Sequence, residues 1–227
     1  MARTLNLAVH TVRREAFVDA AQRLMQMKGY EQMSIQDLLD ELDASRGAFY
    51  HYFDSKQELL TAVIDRMVDA GLAEVAPIVT EPGLPAIRKL ERVFSGIGRW
   101  KTERKALVLS VMGVWMSDAN AIVREKLRRT MVGRLVPTLA PIIQQGIEEG
   151  TFKAEPAEAT ARVFVMLLLG FQDIAIELFI DRQAGRIALS EVEQTFANYA
   201  SAIERILGAP AGSVNLLDHS LMQAWYG

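Results

Sequence analysis

The sequence predicts an all-α fold, on two observations. Apolar residues recur along most of the chain at spacings of three and four residues, the period of a helix with one buried face. Helix starts are marked by a Ser followed three residues later by an acidic residue, as at Ser34 and Asp37. No segment shows the convincing alternation of apolar and polar residues that a half-buried strand needs. The expected elements are therefore helices and the turns between them.

The composition is that of a globular protein. The chain has 227 residues, of which 50% are hydrophobic and 23% charged, enough for one large domain or two small ones. It has no cysteine, which excludes disulfides and thiolate metal sites. The N-terminal segment lacks the apolar stretch of a signal peptide, and the longest uninterrupted apolar run, residues 163–171, is too short to cross a bilayer. These features predict a cytoplasmic protein without a membrane partner.

Residues 34–56 predict two short helices joined by a tight turn, after a longer helix over residues 11–28. One apolar face of the first short helix consists of Ile35, Leu38, Leu39 and Leu42. Ser45 is placed to cap the second helix, which spans about Arg46 to Phe53. This arrangement is typical of a helix-turn-helix, whose second helix can enter the major groove of DNA.

The polar and small residues of this segment suit contact with DNA. The predicted DNA-binding residues are Ser34, Ser45, Arg46, Gly47, Ala48, Tyr50, His51 and Lys56. Tyr50 and His51 offer hydrogen-bond donors, and Lys56 lies in a first helical turn, where free backbone amides favour an anion. Gly47 and Ala48 are small enough to let the helix approach base edges. An ordinary helical hairpin with a solvated polar face has the same pattern, and residue chemistry alone leaves both interpretations open.

The stretch GAFYHYFDSKQELL, preceded by SIQDLLDELDASR, closely resembles the DNA-binding domain of the TetR (tetracycline repressor) family of bacterial transcriptional regulators. The resemblance covers about residues 11–67 and is most specific at residues 50–53 with Ser55 and Lys56. It implies that the eight predicted residues match positions that commonly contact DNA. One departure is Ser34, which stands where this family often has Thr.

The resemblance also implies roles for individual residues. Tyr50 and Lys56 would contact phosphates, whereas Arg46, Gly47 and Ala48 are the better candidates for contacts with base edges. The net charge of −3 argues against a non-specific nucleic-acid binder. The basic groups must therefore be arranged locally, and binding should depend on a well-matched site.

The remainder of the chain is predicted to form a C-terminal helical bundle for ligand binding and dimerisation. The predicted helices cover residues 55–75, 85–98, 105–116, 118–150, 156–181 and 190–207. Pro77 is expected to end the first of these, and Pro137 and Pro141 should kink or split the helix 118–150. The resulting division is a DNA-binding domain over 1–56, a ligand-binding and dimerisation domain over 57–208, and a tail over 209–227.

Helices 156–181 and 190–207 have more apolar surface than one small bundle covers. A homodimer would cover it, and its two-fold symmetry would match a palindromic operator in double-stranded DNA. The family resemblance implies the same four-helix interface. The alternative is a monomer with a well-filled core.

The two ends of the chain differ in character. Residues 1–9 are expected to be a flexible arm in which Arg3 can reach DNA or simply fray. The tail is too apolar for a disordered segment; its apolar residues include Leu216, Leu217, Leu221, Met222, Trp225 and Tyr226. We expect the tail to fold back onto the body or onto the partner subunit.

The resemblance implies a small-molecule effector within the C-terminal bundle. The candidate ligand-binding residues are Phe94, Trp100, Met112, Trp115, Met116, Phe164, Leu168, Phe171, Gln172 and Asp173. Gln172 and Asp173 can orient a ligand, and the apolar character of the others favours a hydrophobic or aromatic effector. Met and aromatic residues at helical spacing are more often plain core, so this second interpretation stays open for each of them.

These observations predict a ligand-responsive transcriptional regulator, expected to be a repressor, and not an enzyme. The three histidines have no metal-ligand spacing, no phosphate-binding loop or nucleophile motif is present, and no cofactor is expected. Ligand binding would tilt the helix that starts at Ser55 and change the separation of two recognition helices. The alternative is a DNA-binding dimer whose C-terminal body docks a protein partner and binds no small molecule.

Overall fold

The computed structural model describes the backbone of residues 2–227 and the side chains of residues 10–227. These residues form helices and turns, with no strand among them, so the prediction of an all-α fold is confirmed. The α-helices are α1 (Ala2–Lys28), α2 (Ile35–Leu42), α3 (Arg46–Tyr52), α4 (Lys56–Thr80), α5 (Ala86–Glu103), α6 (Lys105–Trp115), α7 (Ala121–Glu148), α8 (Ala157–Gln183), α9 (Leu189–Leu207) and α10 (His219–Tyr226). A short 3-10 helix, Asp118–Asn120, precedes α7.

The helices pack into two compact units. The first unit consists of residues up to 69 together with residues 104–127, and the second consists of residues 70–103 together with residues 128–227. Helices α4 and α7 therefore each contribute residues to both units. The division of the sequence at residue 57 is a prediction about function; residue 57 lies near the start of α4, whereas the first unit continues along this helix to Asp69.

The core of the first unit is aromatic. Phe17 of α1 lies 5.6 Å from Phe49 and 6.3 Å from Phe53, measured between ring centroids, and all three side chains are buried. Helix α1 packs against α2 and α6 within this unit. Ala21 and Leu24 of α1 are also buried in this unit, so the helix has one apolar face towards the core.

The core of the second unit is larger and mainly aliphatic, and it extends in sequence from Val75 to Tyr226. Helix α8 packs along α9, and its buried side carries Phe164, Val165 and Leu169. Lys89 is also buried here, because its ammonium donates to the carbonyl of Val79 at 2.7 Å, in the last turn of α4.

The exposed side of α8 carries apolar residues next to the charged residues Arg162 and Glu177. Val163, Met166 and Ile180 expose 55%, 50% and 41% of their surfaces in the single chain. By length and composition, α8 is apolar enough to cross a membrane, with a mean hydropathy of 2.1 in its best window. The uninterrupted apolar run of residues 163–171 is shorter than the apolar part of this helix, because the longer window contains only a few charged residues. A core helix of a soluble protein has the same composition.

Several predicted helix boundaries were wrong. Helix α1 begins at Ala2, so residues 2–9 continue the helix and do not form the expected arm; the side chain of Arg3 lies outside the described residues. Helix α4 passes through Pro77, where an end was predicted. Helix α7 passes through Pro137 and Pro141 and is not split, so a kink at these residues stays a prediction. Each proline removes one backbone hydrogen bond, but fully buried neighbours such as Val75, Ile142 and Ile143 hold these turns in place.

Two predicted helix starts also need correction. Asp118 belongs to the 3-10 helix and does not cap α7. Helix α9 begins at Leu189, one residue before the predicted Ser190, and its first turn is satisfied by the Glu191 carboxylate, which accepts from the Ala188 amide at 2.9 Å. An acidic residue in the first turn performs this role without a serine partner.

The tail folds back onto the second unit, as predicted, and forms α10 against α5, α8 and α9. The indole of Trp225 donates to the Thr102 hydroxyl at 2.8 Å, and the Tyr226 hydroxyl donates to the Ala175 carbonyl at 3.0 Å. Burial raises the pKa of Tyr226. The buried Glu204 carboxylate accepts from the Val214 amide at 3.0 Å, which fixes the segment before α10.

Candidate nucleic-acid interface

Side-chain caps define the helix-turn-helix. The Ser34 hydroxyl accepts from the Asp37 amide at 3.1 Å, and the Asp37 carboxylate accepts from the Ser34 amide at 2.7 Å, which starts α2. Asp43 ends α2 in the left-handed region at φ 46°, a conformation that Asp tolerates better than most residues. The Ser45 hydroxyl then accepts from the Ala48 amide at 3.2 Å and starts α3. The turn between the helices is therefore set by local contacts.

Helix α3 has one buried face and one exposed face. Phe49 is buried against α1, whereas Arg46, Gly47, Tyr50 and His51 are exposed. Ala48 is half-buried between the two faces. The Arg46 guanidinium lies 5.9 Å from the centroid of the Tyr50 ring, so these two side chains form one continuous surface. This exposed face can present hydrogen-bond donors to a DNA groove. Because Gly47 and Ala48 are small, the backbone of α3 can also come close to the base edges.

Lys56 has contacts of its own at the start of α4. Its ammonium lies 4.2 Å from the centroid of the Tyr30 ring and donates to the Glu31 carbonyl at 3.4 Å. Burial lowers the pKa of Lys56, and burial followed by the charge of Glu31 raises the pKa of Tyr30 to about 12. In this structure Lys56 is therefore held against the segment between α1 and α2.

Two of the three acidic residues of α2 are paired with basic residues of α1. Lys28 lies 2.7 Å from Asp37, and Arg23 lies 2.6 Å from Glu41, measured between nitrogen and oxygen. The hydrogen bond from Lys28, followed by those from Ser34, lowers the pKa of Asp37 to about 2. These pairs account for part of the negative charge near the helix-turn-helix and leave the exposed face of α3 free of acidic side chains between residues 46 and 52.

Arg66 ties the first half of α4 to α1. Its guanidinium donates to Asp19 at 2.6 Å, to Glu15 at 3.3 Å and to the side-chain oxygen of Gln22. Three acceptors on one helix face hold the side chain in a single place. Sequence periodicity does not reveal this cluster, because its members are brought together only by the packing of α1 on α4.

A histidine that the sequence did not single out lies beside α3. The ring of His10, on α1, lies 5.4 Å from the ring of His51 and 4.7 Å from the ring of Tyr52, between centroids. His10 and His51 are both exposed. No local motif joins these residues, so only the packing of α1 against α3 could identify the pair.

The predicted effector residues are divided between the two units. Met112, Trp115 and Met116 belong to the first unit, and the other seven belong to the second unit. The Trp115 carbonyl accepts a hydrogen bond from Arg124.

Within the second unit, only some of these residues meet. The rings of Phe94 and Phe164 lie 6.2 Å apart, and Trp100 is buried in α5. The Phe171 ring lies 4.7 Å from Phe196 of α9. The remaining residues are on α8.

Leu168 and Gln172 are half-buried on α8, and Asp173 of the same helix is already engaged. The Asp173 carboxylate lies 2.5 Å from the guanidinium of Arg128 on α7. An Asp that is paired in this way is more suited to joining two helices than to orienting a ligand. A separate open notch lies where α7 ends and α8 begins; its lining residues are Gln144, Ile147, Glu155, Pro156 and Ala157.

Comparison with known families supports the interpretation of the helix-turn-helix in the first unit as a DNA-binding segment. Residues 17–63 match the family model described as bacterial regulatory proteins of the tetR family. An uncharacterized HTH-type transcriptional regulator from Lactococcus lactis subsp. lactis is 47% identical over 55 residues, which is 24% of this chain and 28% of that protein. The chain therefore matches well under two thirds of this relative's length.

Two further comparisons extend over most of the chain. The HTH-type transcriptional repressor DhaR of Mycobacterium sp. (strain GP1) is 21% identical over 74% of this chain and 83% of its own length. The crystal structure of RolR in complex with resorcinol superposes with a TM-score of 0.62, covering 96% of this chain and 95% of RolR at 18% identity. At this level of identity the second comparison establishes the fold alone.

Proposed function

Because residues 17–63 match the tetR family of bacterial regulatory proteins, we propose that the chain is a ligand-responsive repressor of this family that binds a palindromic DNA operator as a homodimer. The family match and the relatives, which are named as transcriptional regulators, support a regulatory function over a catalytic one. The observation that carries the proposal is the exposed face of α3, which the caps at Ser34 and Ser45 and the buried Phe49 hold outward.

In the proposed complex, α3 enters the major groove. Arg46, with Gly47 and Ala48 beside it, contacts base edges, and Tyr50 contacts a phosphate. Lys56 exchanges its hydrogen bond to the Glu31 carbonyl for a phosphate at the start of α4. The remaining contacts come from His51, from the Ser45 hydroxyl, which can still donate after accepting its capping bond, and from the Ser34 hydroxyl, which exchanges its hydrogen bond to the Asp37 carboxylate for a phosphate.

The exposed side of α8 supports a homodimer. Val163, Met166 and Ile180 lie within about a third of the helix circumference, and α9 packs beside them. We propose that α8 and α9 of two copies form a four-helix interface over this surface. Such an interface gives the apolar side of α8 a protein partner, which explains its composition without a membrane and is consistent with a cytoplasmic location.

The proposed effector is a small hydrophobic or aromatic molecule bound by the C-terminal helices. RolR, with which the chain shares its fold, was crystallised with resorcinol, an aromatic ligand. The ligand must bind the DNA-free state more tightly than the DNA-bound state. Helix α4 is the proposed route of coupling, because Arg66 fixes its first half to α1 while its last turns belong to the second unit.

A second candidate function follows from the dispersal of the predicted effector residues. Phe171 packs against α9 and Asp173 pairs with Arg128, so both have structural roles. A DNA-binding dimer whose second unit docks a protein partner would need no small-molecule site. Thermal shifts of the purified protein with aromatic and aliphatic ligands distinguish the two, since only the first function predicts stabilisation by a small molecule.

DNA binding is tested by selecting bound sequences from a random duplex pool at fixed salt. We expect a palindrome, which then serves as the probe for variants. Tyr50→Phe and Lys56→Ala should weaken binding to all duplexes, whereas Arg46→Ala should also relax the preference at one base pair by about 1–3 kcal/mol. Unchanged affinity of both Tyr50→Phe and Lys56→Ala would contradict the proposed docking of α3.

The dimer is tested by sedimentation equilibrium. Met166→Asp places a charge in the proposed interface and should weaken association by at least tenfold, because an unpaired buried charge costs several kcal/mol. Ile122→Asp is the matched control, since Ile122 is an exposed apolar residue of α7 in the first unit. Equal effects of the two substitutions would exclude the exposed side of α8 as the interface.

A further inference from the structure

The exposed surface of α3 continues onto α1. The His10 ring meets the His51 ring nearly edge-on, with an interplanar angle of 72°, and also contacts Tyr52. His51 is one of the residues assigned to the DNA contact, and the two imidazoles are close enough to address the same group. The contact therefore places a residue of α1 at the edge of the proposed DNA-binding surface.

The position of His10 follows from the register of α1. Phe17 packs against Phe49 and Phe53, and His10 lies two turns earlier on the same face of the helix. At this point the aromatic core has ended, so the ring is exposed beside the last turn of α3. His10 is therefore a polar residue on the core-facing side of α1 that lies outside the core. Packing alone does not explain a histidine at this position.

Arg13 adds a cation to the same region. It lies three residues after His10, on an adjacent part of the helix surface, and its side chain is exposed. Within the described side chains, residues 10–227, neither His10 nor Arg13 makes a hydrogen bond or an ion pair. Arg14, by contrast, packs over the Phe53 ring at 5.0 Å and is bonded to Glu15. The free donors of His10 and Arg13 thus face solvent beside α3.

We propose that His10 and Arg13 form a second phosphate-binding element, which extends the DNA contact from α3 onto α1. This inference rests on the proposed function, because it requires α3 to lie on DNA. His10 and His51 bind one backbone phosphate between them, and Arg13 binds a neighbouring phosphate on the same strand. Phosphate contacts fix the orientation of the protein on the duplex and do not specify sequence, so all duplexes gain from them.

The test measures fluorescence anisotropy of the full chain with the selected palindrome and with an unrelated duplex of the same length, over a range of salt concentrations. His10→Phe keeps a ring against Tyr52 but removes both nitrogens, and Arg13→Gln removes one cation. We expect His10→Phe to weaken binding to both duplexes about tenfold. Arg13→Gln should in addition reduce the slope of log affinity against log salt by about 0.9.

Matched variants separate the outcomes. His219→Phe, at the start of α10, changes an exposed histidine far along the chain and should leave affinity unchanged. If His10 and His51 share one phosphate, the variant with both replaced by Phe should lose less than the product of the two single losses. Circular dichroism of each variant checks that the helices are intact.

Wild-type affinity and salt slope for His10→Phe and Arg13→Gln, with weakened binding for Tyr50→Phe, would overturn this inference and leave the proposed function standing. In that case His10 only packs on Tyr52. Wild-type affinity for Tyr50→Phe and Lys56→Ala as well would overturn the proposed docking of α3, and the α1 contact with it.

Discussion

The two units of this protein are stabilised in different ways. In the first unit, short helices are started by side-chain caps and closed around the rings of Phe17, Phe49 and Phe53. In the second unit, long helices bury many aliphatic residues, and few of their ends are capped by side chains. The structure of the first unit is therefore specified mainly by contacts between residues close together in the sequence. The structure of the second unit is specified mainly by contacts between residues far apart in the sequence.

The largest effects should come from the two cores. Phe164→Ala in the second unit and Phe49→Ala in the first each remove a fully buried ring and should lower the free energy of unfolding by about 3–5 kcal/mol. Urea unfolding followed by circular dichroism measures both. Ile122→Ala is the control, because Ile122 is an apolar residue that is largely exposed and lies outside the proposed dimer interface. A loss as large for Ile122→Ala as for Phe164→Ala would contradict this assignment of the core.

An intermediate effect is expected where the tail meets α5. A Cβ at Gly98 would lie 2.5 Å from a methyl carbon of Leu221, so Gly98→Ala must displace the α10 side chain and should cost about 1–3 kcal/mol. Thermal unfolding and limited proteolysis of the tail measure the effect. Leu221→Ala vacates the space, so Gly98→Ala should cost much less in its presence. Additive losses in the double variant would show that the two positions do not touch.

The smallest effect should come from an exposed carboxylate in the first unit. The pKa of Asp37 is lowered to about 2 by Lys28 and Ser34, so its contribution to stability is complete above the ordinary carboxyl pKa and is lost as the pH falls towards 2. Asp37→Asn should therefore destabilise the protein slightly at neutral pH, with a difference from wild type that shrinks between pH 5 and pH 2. Urea midpoints at a series of pH values measure this.

Asp40→Asn on the same helix is the control for that series. Asp40 accepts a hydrogen bond from Gln36 at 2.7 Å, so its nearest partner is a neutral amide. If the stability difference from wild type depended on pH as strongly for Asp40→Asn as for Asp37→Asn, the ion pair between Asp37 and Lys28 would not be the source of this dependence.

This contrast explains how much the sequence could predict. The caps at Ser34 and Ser45 and the buried face of α2 follow from capping chemistry and helical spacing, and three residues predicted to contact DNA, Arg46, Tyr50 and His51, are exposed. Contacts within a few residues leave a signature in the sequence. The fold class followed from the same periodicity over the whole chain.

Long-range contacts left no such signature. The cluster around Arg66 and the contact between His10 and His51 depend on the packing of α1 on other helices. Proline seemed a reliable helix end, yet Pro77 and Pro141 lie inside helices, because burial of their neighbours outweighs one lost hydrogen bond. For the effector site, the sequence identified large side chains but did not show which of them are in contact in the folded protein.

The packing of α10 has a consequence for the order in which the protein can fold during synthesis. The core of the second unit includes Val75 and also Tyr226, whose ring contacts Phe179 and Phe196. A nascent chain therefore cannot complete the packing around these aromatic residues until the α10 segment has left the ribosome. Phe17, Phe49 and Phe53 can meet much earlier, so the helix-turn-helix gains its core while most of the chain has yet to be translated.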